Sequence, residues 1–154
     1  MRRFLMQLFL VAVVLPHELA HAAPARLAGL QTDVTLLPEW AGPEQPLGQF
    51  DANIDAGTPL WLIRLIALGP VVCYVGGAAV FGAVLDSDSL LAAALVPPLS
   101  YWAVPSNGDI AVAVNARSAR ENGAFRAPRL GWGGPFSAML VPLTTAVVVV
   151  LLLG

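Results

Sequence analysis

Four apolar stretches, at residues 4–30, 59–85, 90–116 and 136–153, leave this chain little freedom in what it can become. A bilayer core of about 30 Å takes around 20 residues of helix, so the first three are long enough to cross it and the last is marginal. Of the 154 residues, 57% are hydrophobic and 12% charged, and the mean hydropathy of +0.73 is far from the mix of a soluble domain. The expectation is an all-α integral membrane protein, multi-pass in the cell membrane, with about four transmembrane helices. Residues 1–154 read as a single domain, because no repeat and no long polar linker divides them.

The connections add detail. The first, "QTDVTLLPEWAGPEQPLGQFDANIDAGTP", has strand-like pieces at 33–37 and 47–54 separated by Pro and Gly, which predicts a small β-hairpin-like loop after helix 1. The second is only "DSDS". The third holds Arg117, Arg120, Arg126 and Arg129. With four spans, the positive-inside rule puts the Arg-bearing loops in the cytoplasm and both termini outside. The eight basic residues are all Arg and dispersed, and the net charge is −2, so nucleic acid is excluded as a partner. Cys73 is alone, which rules out an internal disulfide and a Cys-based zinc site and leaves it as a small buried hydrophobe.

At the end of the first stretch stands "LPHELAHA". The opening "MRR", the oily run after it and "AHA" before Ala23 also have the shape of a secretory signal. Cleavage there would remove the only two His residues of the chain, and what remained would still be strongly apolar. His17-Glu18-Leu19-Ala20-His21 is H-E-x-x-H; on a helix, positions i and i+4 lie about 40° apart around the axis, so both imidazoles reach one metal ion. Glu18 projects beside them, where a carboxylate can take a proton from water and return it to a leaving amine. Ionisable groups inside an apolar span cost several kcal/mol to bury and are therefore read as functional. The pattern points to Zn2+. Pro16, just before it, removes a backbone donor and is placed to kink the helix and open a path for water.

A hydrolytic zinc site takes three protein ligands and keeps one position for water. No third His exists, so a carboxylate must complete the set. The first and third stretches cross in the same direction, so their late residues share a side. Asp109, late in the third within "VPSNGDIAVAVN", is thereby level with His17 and His21, while Asp86 and Asp88 fall on the far side, roughly 30 Å away. Asp51 and Asp55 lie on the correct side but in a loop, and are the reserve choice.

H-E-x-x-H in the first helix, a polar strand-forming loop, "ALGPVV" in the second helix, and an Asp after a Pro/Asn/Gly stretch in the third together resemble the site-2 protease family of intramembrane zinc metalloproteases. The order matches across most of the chain. In that family the second-helix Ala-Gly-Pro is followed by Asn three residues after the Pro, whereas here Leu68-Gly69-Pro70 leads to Cys73. The third-helix pattern is usually Leu-Asp-Gly, whereas here it is Asn107-Gly108-Asp109. The resemblance implies cleavage of transmembrane segments of membrane-protein substrates within the lipid bilayer, with the substrate added as a strand beside the loop after helix 1. The mechanism expected has His17, His21 and Asp109 as metal ligands and Glu18 as the general base. Asn107 and Asn115 are candidates to hydrogen-bond the oxyanion or substrate. A non-catalytic zinc-binding membrane protein derived from a protease core is the alternative, and would need no Glu18.

Overall fold

A computed structural model describes residues 2–38 and 47–154; the middle of the first loop, residues 39–46, and Met1 lie outside the described residues. In chain order the elements are α1 (Arg2–Val13), α2 (Leu15–Leu27), β1 (Thr32–Leu36), β2 (Gly48–Ala52), α3 (Leu60–Ala67), α4 (Gly69–Val84), α5 (Leu90–Ala103), α6 (Asn107–Val114), α7 (Ala116–Asn122) and α8 (Gly133–Leu153).

The four apolar stretches are not four spanning helices. Among the described residues only α8, 21 residues long, is a single helix long and apolar enough to cross a membrane. The pair α3 and α4 adds a second span only if two helices bent by 62° are counted as one, and α5 is shorter still. A proline stands at each break and lacks the N–H that an interior helical turn requires, although Pro24, Pro97, Pro98 and Pro142 are accommodated inside α2, α5 and α8. Pro16 follows the break at Val14 between α1 and α2, and Pro70 sits in the first turn of α4 just past the bend. Pro105 stands in the gap between α5 and α6. The orientation argued from four spans loses its premise with them. Cys73 also departs from expectation: it is exposed on α4.

The polar loop carries an antiparallel pair, with Thr32 opposite Ala52, Val34 opposite Phe50 and Leu36 opposite Gly48. One face of β2 is buried through Phe50 and Ala52, which join Ala22 and Ala25 of α2, Ile63 and Ile66 of α3, Val112 of α6 and Ala119 of α7 in one core. A second, smaller core forms where α4, α5 and α8 meet, from Ala78, Leu99, Val148 and Leu152. Between the two, α4 starts against the backbone of α2. Any Cβ on Gly69 would run into the carbonyl of Ala20, an oxygen left without its helical donor by Pro24. Glycine is required again at Gly82, where a Cβ would collide with the carbonyl of Leu151 across the α4–α8 contact.

Candidate metal centre

His17 and His21 are one turn apart on α2, and Asp109 arrives from the first turn of α6. The segment Ser106 to Asp109 is a capping box: Ser106 Oγ accepts from the Asp109 N–H at 3.2 Å, and the Ser106 N–H donates to Asp109 Oδ2 at 2.6 Å. That reciprocal pair fixes the carboxylate at a helix N-terminus, where negative charge is favoured. It points at both imidazoles. Asp109 Oδ2 is 3.3 Å from His17 Nε2 and Asp109 Oδ1 is 3.2 Å from His21 Nε2, while the two Nε2 atoms are 3.4 Å apart.

The other nitrogen of each ring decides what these short distances mean. His21 Nδ1 lies 2.7 Å from the carbonyl of Ile66, and His17 Nδ1 lies 2.9 Å from the carbonyl of Trp102. A carbonyl only accepts, so both Nδ1 atoms carry hydrogen, and each ring in its neutral form presents a lone pair at Nε2. With both rings neutral, two lone pairs and a carboxylate converge with no donor between them, an arrangement that a cation at its centre would relieve. A tetrahedral zinc with ligands at 2.0–2.1 Å separates them by about 3.3 Å along each edge, which matches all three observed distances. The group His17, His21 and Asp109 could therefore hold a metal ion, with each residue offering one ligand atom.

Both orienting carbonyls lack their usual helical donor four residues on, for a reason written in the chain. The helical partner of the Ile66 carbonyl would be the N–H of residue 70, and residue 70 is proline. The partner of the Trp102 carbonyl would be the Ser106 N–H, which the Asp109 carboxylate takes instead. Trp102 also donates from its indole Nε1 to the carbonyl of Val13 at 3.0 Å, and the Tyr74 hydroxyl donates to the carbonyl of Pro16 at 2.5 Å. Those two bonds fasten α5 and α4 to the α1–α2 junction immediately before the motif. The His21 ring is stacked on Phe50, with centroids 5.5 Å apart and planes at 21°, and Phe125 closes a second side at 5.9 Å. His21 is 1% exposed, so its ring has one orientation available. Ile66, Trp102, Phe50 and Phe125 were not among the residues that the motif identifies; Pro70, four residues after Ile66, was the available signal for the first of them.

Glu18 is buried beside the ligands at the wall of a cavity of about 1050 Å³. β2 lines the same cavity through Gly48 and Phe50, and a Cβ on Gly48 would press into Val14 and Glu18. Asn107 lines it too, with its side-chain Oδ1 buried and without a hydrogen-bond partner, packed against Gly133. Asn115 is not brought to the site: it forms the junction of α6 and α7 and lies outside the cavity lining. The reserve acids are engaged elsewhere. Asp51 pairs with Arg126 at 3.0 Å and accepts from the Phe125 N–H, and Asp55 accepts from the Thr58 hydroxyl. Asp86 and Asp88 occupy the α4–α5 turn, away from the metal group.

Comparison of the chain with protein-family models, with curated proteins and with solved structures finds no match.

Proposed function

We propose that this protein is a membrane-associated zinc-dependent metalloendopeptidase that hydrolyses peptide bonds in or near the transmembrane segments of membrane proteins, in the manner of the site-2 proteases that its motifs resemble. The observation that carries this reading is the convergence of three acceptor atoms at tetrahedral-edge spacing, with both imidazoles held by backbone carbonyls, beside Glu18 at the wall of a cavity. Two nitrogens and one oxygen with a fourth position left open form the donor set of a catalytic zinc site. His17, His21 and Asp109 would hold the zinc, which when bound would supply Lewis acidity toward a water and a peptide carbonyl. Glu18 takes the proton of the attacking water and delivers it to the leaving amine. The β2 segment along the cavity offers main-chain groups to an extended peptide, a form of recognition that asks little of side-chain identity.

Membrane association is supported by α8, whose 18-residue apolar window has mean hydropathy 2.5 and is only 17% buried within the protein. The core helix of a soluble protein hides such a surface. Exposed apolar side chains continue over α4 and α5, at Val72, Val80, Val84, Leu90 and Leu91.

The decisive experiment combines metal analysis of the detergent-purified chain with cleavage of membrane-protein substrates by wild type and Glu18→Gln. The general base is not a ligand, so the variant keeps its zinc and loses hydrolysis by about 10²-fold or more. Zinc in wild type without any hydrolysis would replace this reading with the non-catalytic zinc-binding one, and absence of bound metal would remove both.

A further inference from the structure

Three helices that touch the histidines or the capping segment of Asp109 carry an exposed aromatic side chain at or near the point of contact. α3 contacts it through the Ile66 carbonyl and exposes Trp61; α5 contacts it through the Trp102 carbonyl and exposes Tyr101. α8 meets the capping segment of Asp109 twice, by the Ser137 hydroxyl donating to the Pro105 carbonyl at 2.7 Å and by Gly133 packing on Asn107, and it exposes Trp132. Their exposures are 64%, 56% and 51% for Trp61, Tyr101 and Trp132. Amphipathic rings left open on apolar helices belong at a water–membrane boundary, where the ring is sheltered and its polar atom is wet.

Depth along α8 gives the same level independently. A helix of 21 residues is roughly 30 Å long, the thickness of a hydrocarbon core. The contacts to the Asp109 segment fall at Gly133 and Ser137, within its first turn and about 6 Å from its end. The exposed turn of Asp86 and Asp88, between α4 and α5, marks the opposite end of the same three-helix bundle. α3 turns 62° away from α4 and exposes Trp61, Leu65 and Leu68 together with Arg64, the pattern of a helix lying along the boundary.

We infer that the metal centre lies at the level of the lipid headgroups, ringed by Trp61, Tyr101 and Trp132, and not in the middle of the bilayer. This rests on the membrane reading above, and it narrows the substrate to bonds at the edge of a transmembrane segment. From that level the cavity descends along α8 past Ser137 and Val141 to Thr145, about 12 Å of wall for the membrane-buried part of the substrate.

Cys73 is the only cysteine, so a Cys73→Ser background accepts one label at a chosen depth. Trp132→Cys and Leu143→Cys, each in the full chain, carry a fluorophore into phosphatidylcholine vesicles whose lipids bear a nitroxide either near the headgroup or near the middle of the acyl chain. Leu143 is exposed on α8 ten residues beyond Gly133, about 15 Å deeper, and serves as the ruler. Zinc content of each labelled variant verifies that the site has formed. The expected result is that the label at position 132 loses more fluorescence to the shallow nitroxide and the label at 143 loses more to the deep one. Stronger loss to the deep nitroxide at both positions overturns the inference while the membrane reading stands. Stronger loss to the shallow one at both means that α8 lies flat and also overturns it. Loss to neither removes the membrane reading and the inference together.

Discussion

Asp109 has two tasks that mutation can separate. Its carboxylate closes the capping box with Ser106 and also stands 3.3 and 3.2 Å from the two imidazoles. In Asp109→Ala both go. Loss of the cap costs about 1 kcal/mol, and two imidazoles without a counter-charge remain as an incomplete zinc set. Substitution of a group that merely orients a ligand lowers metal affinity 10–100-fold, so loss of the ligand itself lowers it by more than about 100-fold, equivalent to about 2.8 kcal/mol. In Asp109→Asn the amide oxygen still accepts from the Ser106 N–H, so the cap and the fold are kept while the anionic ligand is lost. Zinc affinity, measured against a competing chelator, therefore falls in both variants, and thermal stability measured without metal falls only in the alanine one. Asp51→Ala is the control: its partners are Arg126 and the Phe125 backbone, and its zinc affinity stays at the wild-type value. Zinc retained at wild-type affinity in Asp109→Asn, or lost in Asp51→Ala, would refute the assignment of the third ligand.

Three further outcomes follow from neighbouring contacts. Pro70→Ala supplies an N–H that competes with His21 Nδ1 for the Ile66 carbonyl, and zinc affinity by the same chelator competition falls 10–100-fold. Gly82→Val drives a side chain into the Leu151 carbonyl and forces α4 from α8; it costs about 1–3 kcal/mol in a thermal or denaturant melt and leaves the zinc stoichiometry unchanged. On the proposed zinc reading, adding zinc at 100 times its dissociation constant raises the stability of the metal-free protein by about 2.7 kcal/mol, read as a concentration-dependent melting temperature.

The metal group could be found in the sequence because its parts obey short-range rules. Spacing i to i+4 is a property of any helix, and it brought His17 and His21 together whether or not that helix crossed a bilayer. Asp109 was reached by supposing that two apolar stretches run side by side as complete spans, a premise that α1, α2, α5 and α6 do not satisfy. The depth argument still found it because α5 ends beside the α1–α2 junction, where Trp102 bonds both Val13 and His17. The span count failed because hydropathy sums apolar residues and takes no account of whether their backbone can run on unbroken. Pro16, Pro70 and Pro105 are apolar enough to pass such a sum and remove the donors on which a continuous helix depends.

The same prolines contribute to the site. Pro70 cannot give the Ile66 carbonyl its helical donor, and that oxygen, which also takes an N–H at the end of α3, accepts from His21 Nδ1. A missing N–H at Pro24 leaves the Ala20 carbonyl open at the point where Gly69 brings α4 against α2. Pro105 stands in the break that lets Ser106 begin a new helix, and the box closed there aims the Asp109 carboxylate at the two imidazoles while leaving the Trp102 carbonyl to His17. An uninterrupted span would bond each of these carbonyls to its own helix four residues on and leave both imidazoles without a backbone acceptor. In this chain the breaks that deny it four spanning helices therefore leave in place the carbonyl acceptors that turn the two histidines toward one point.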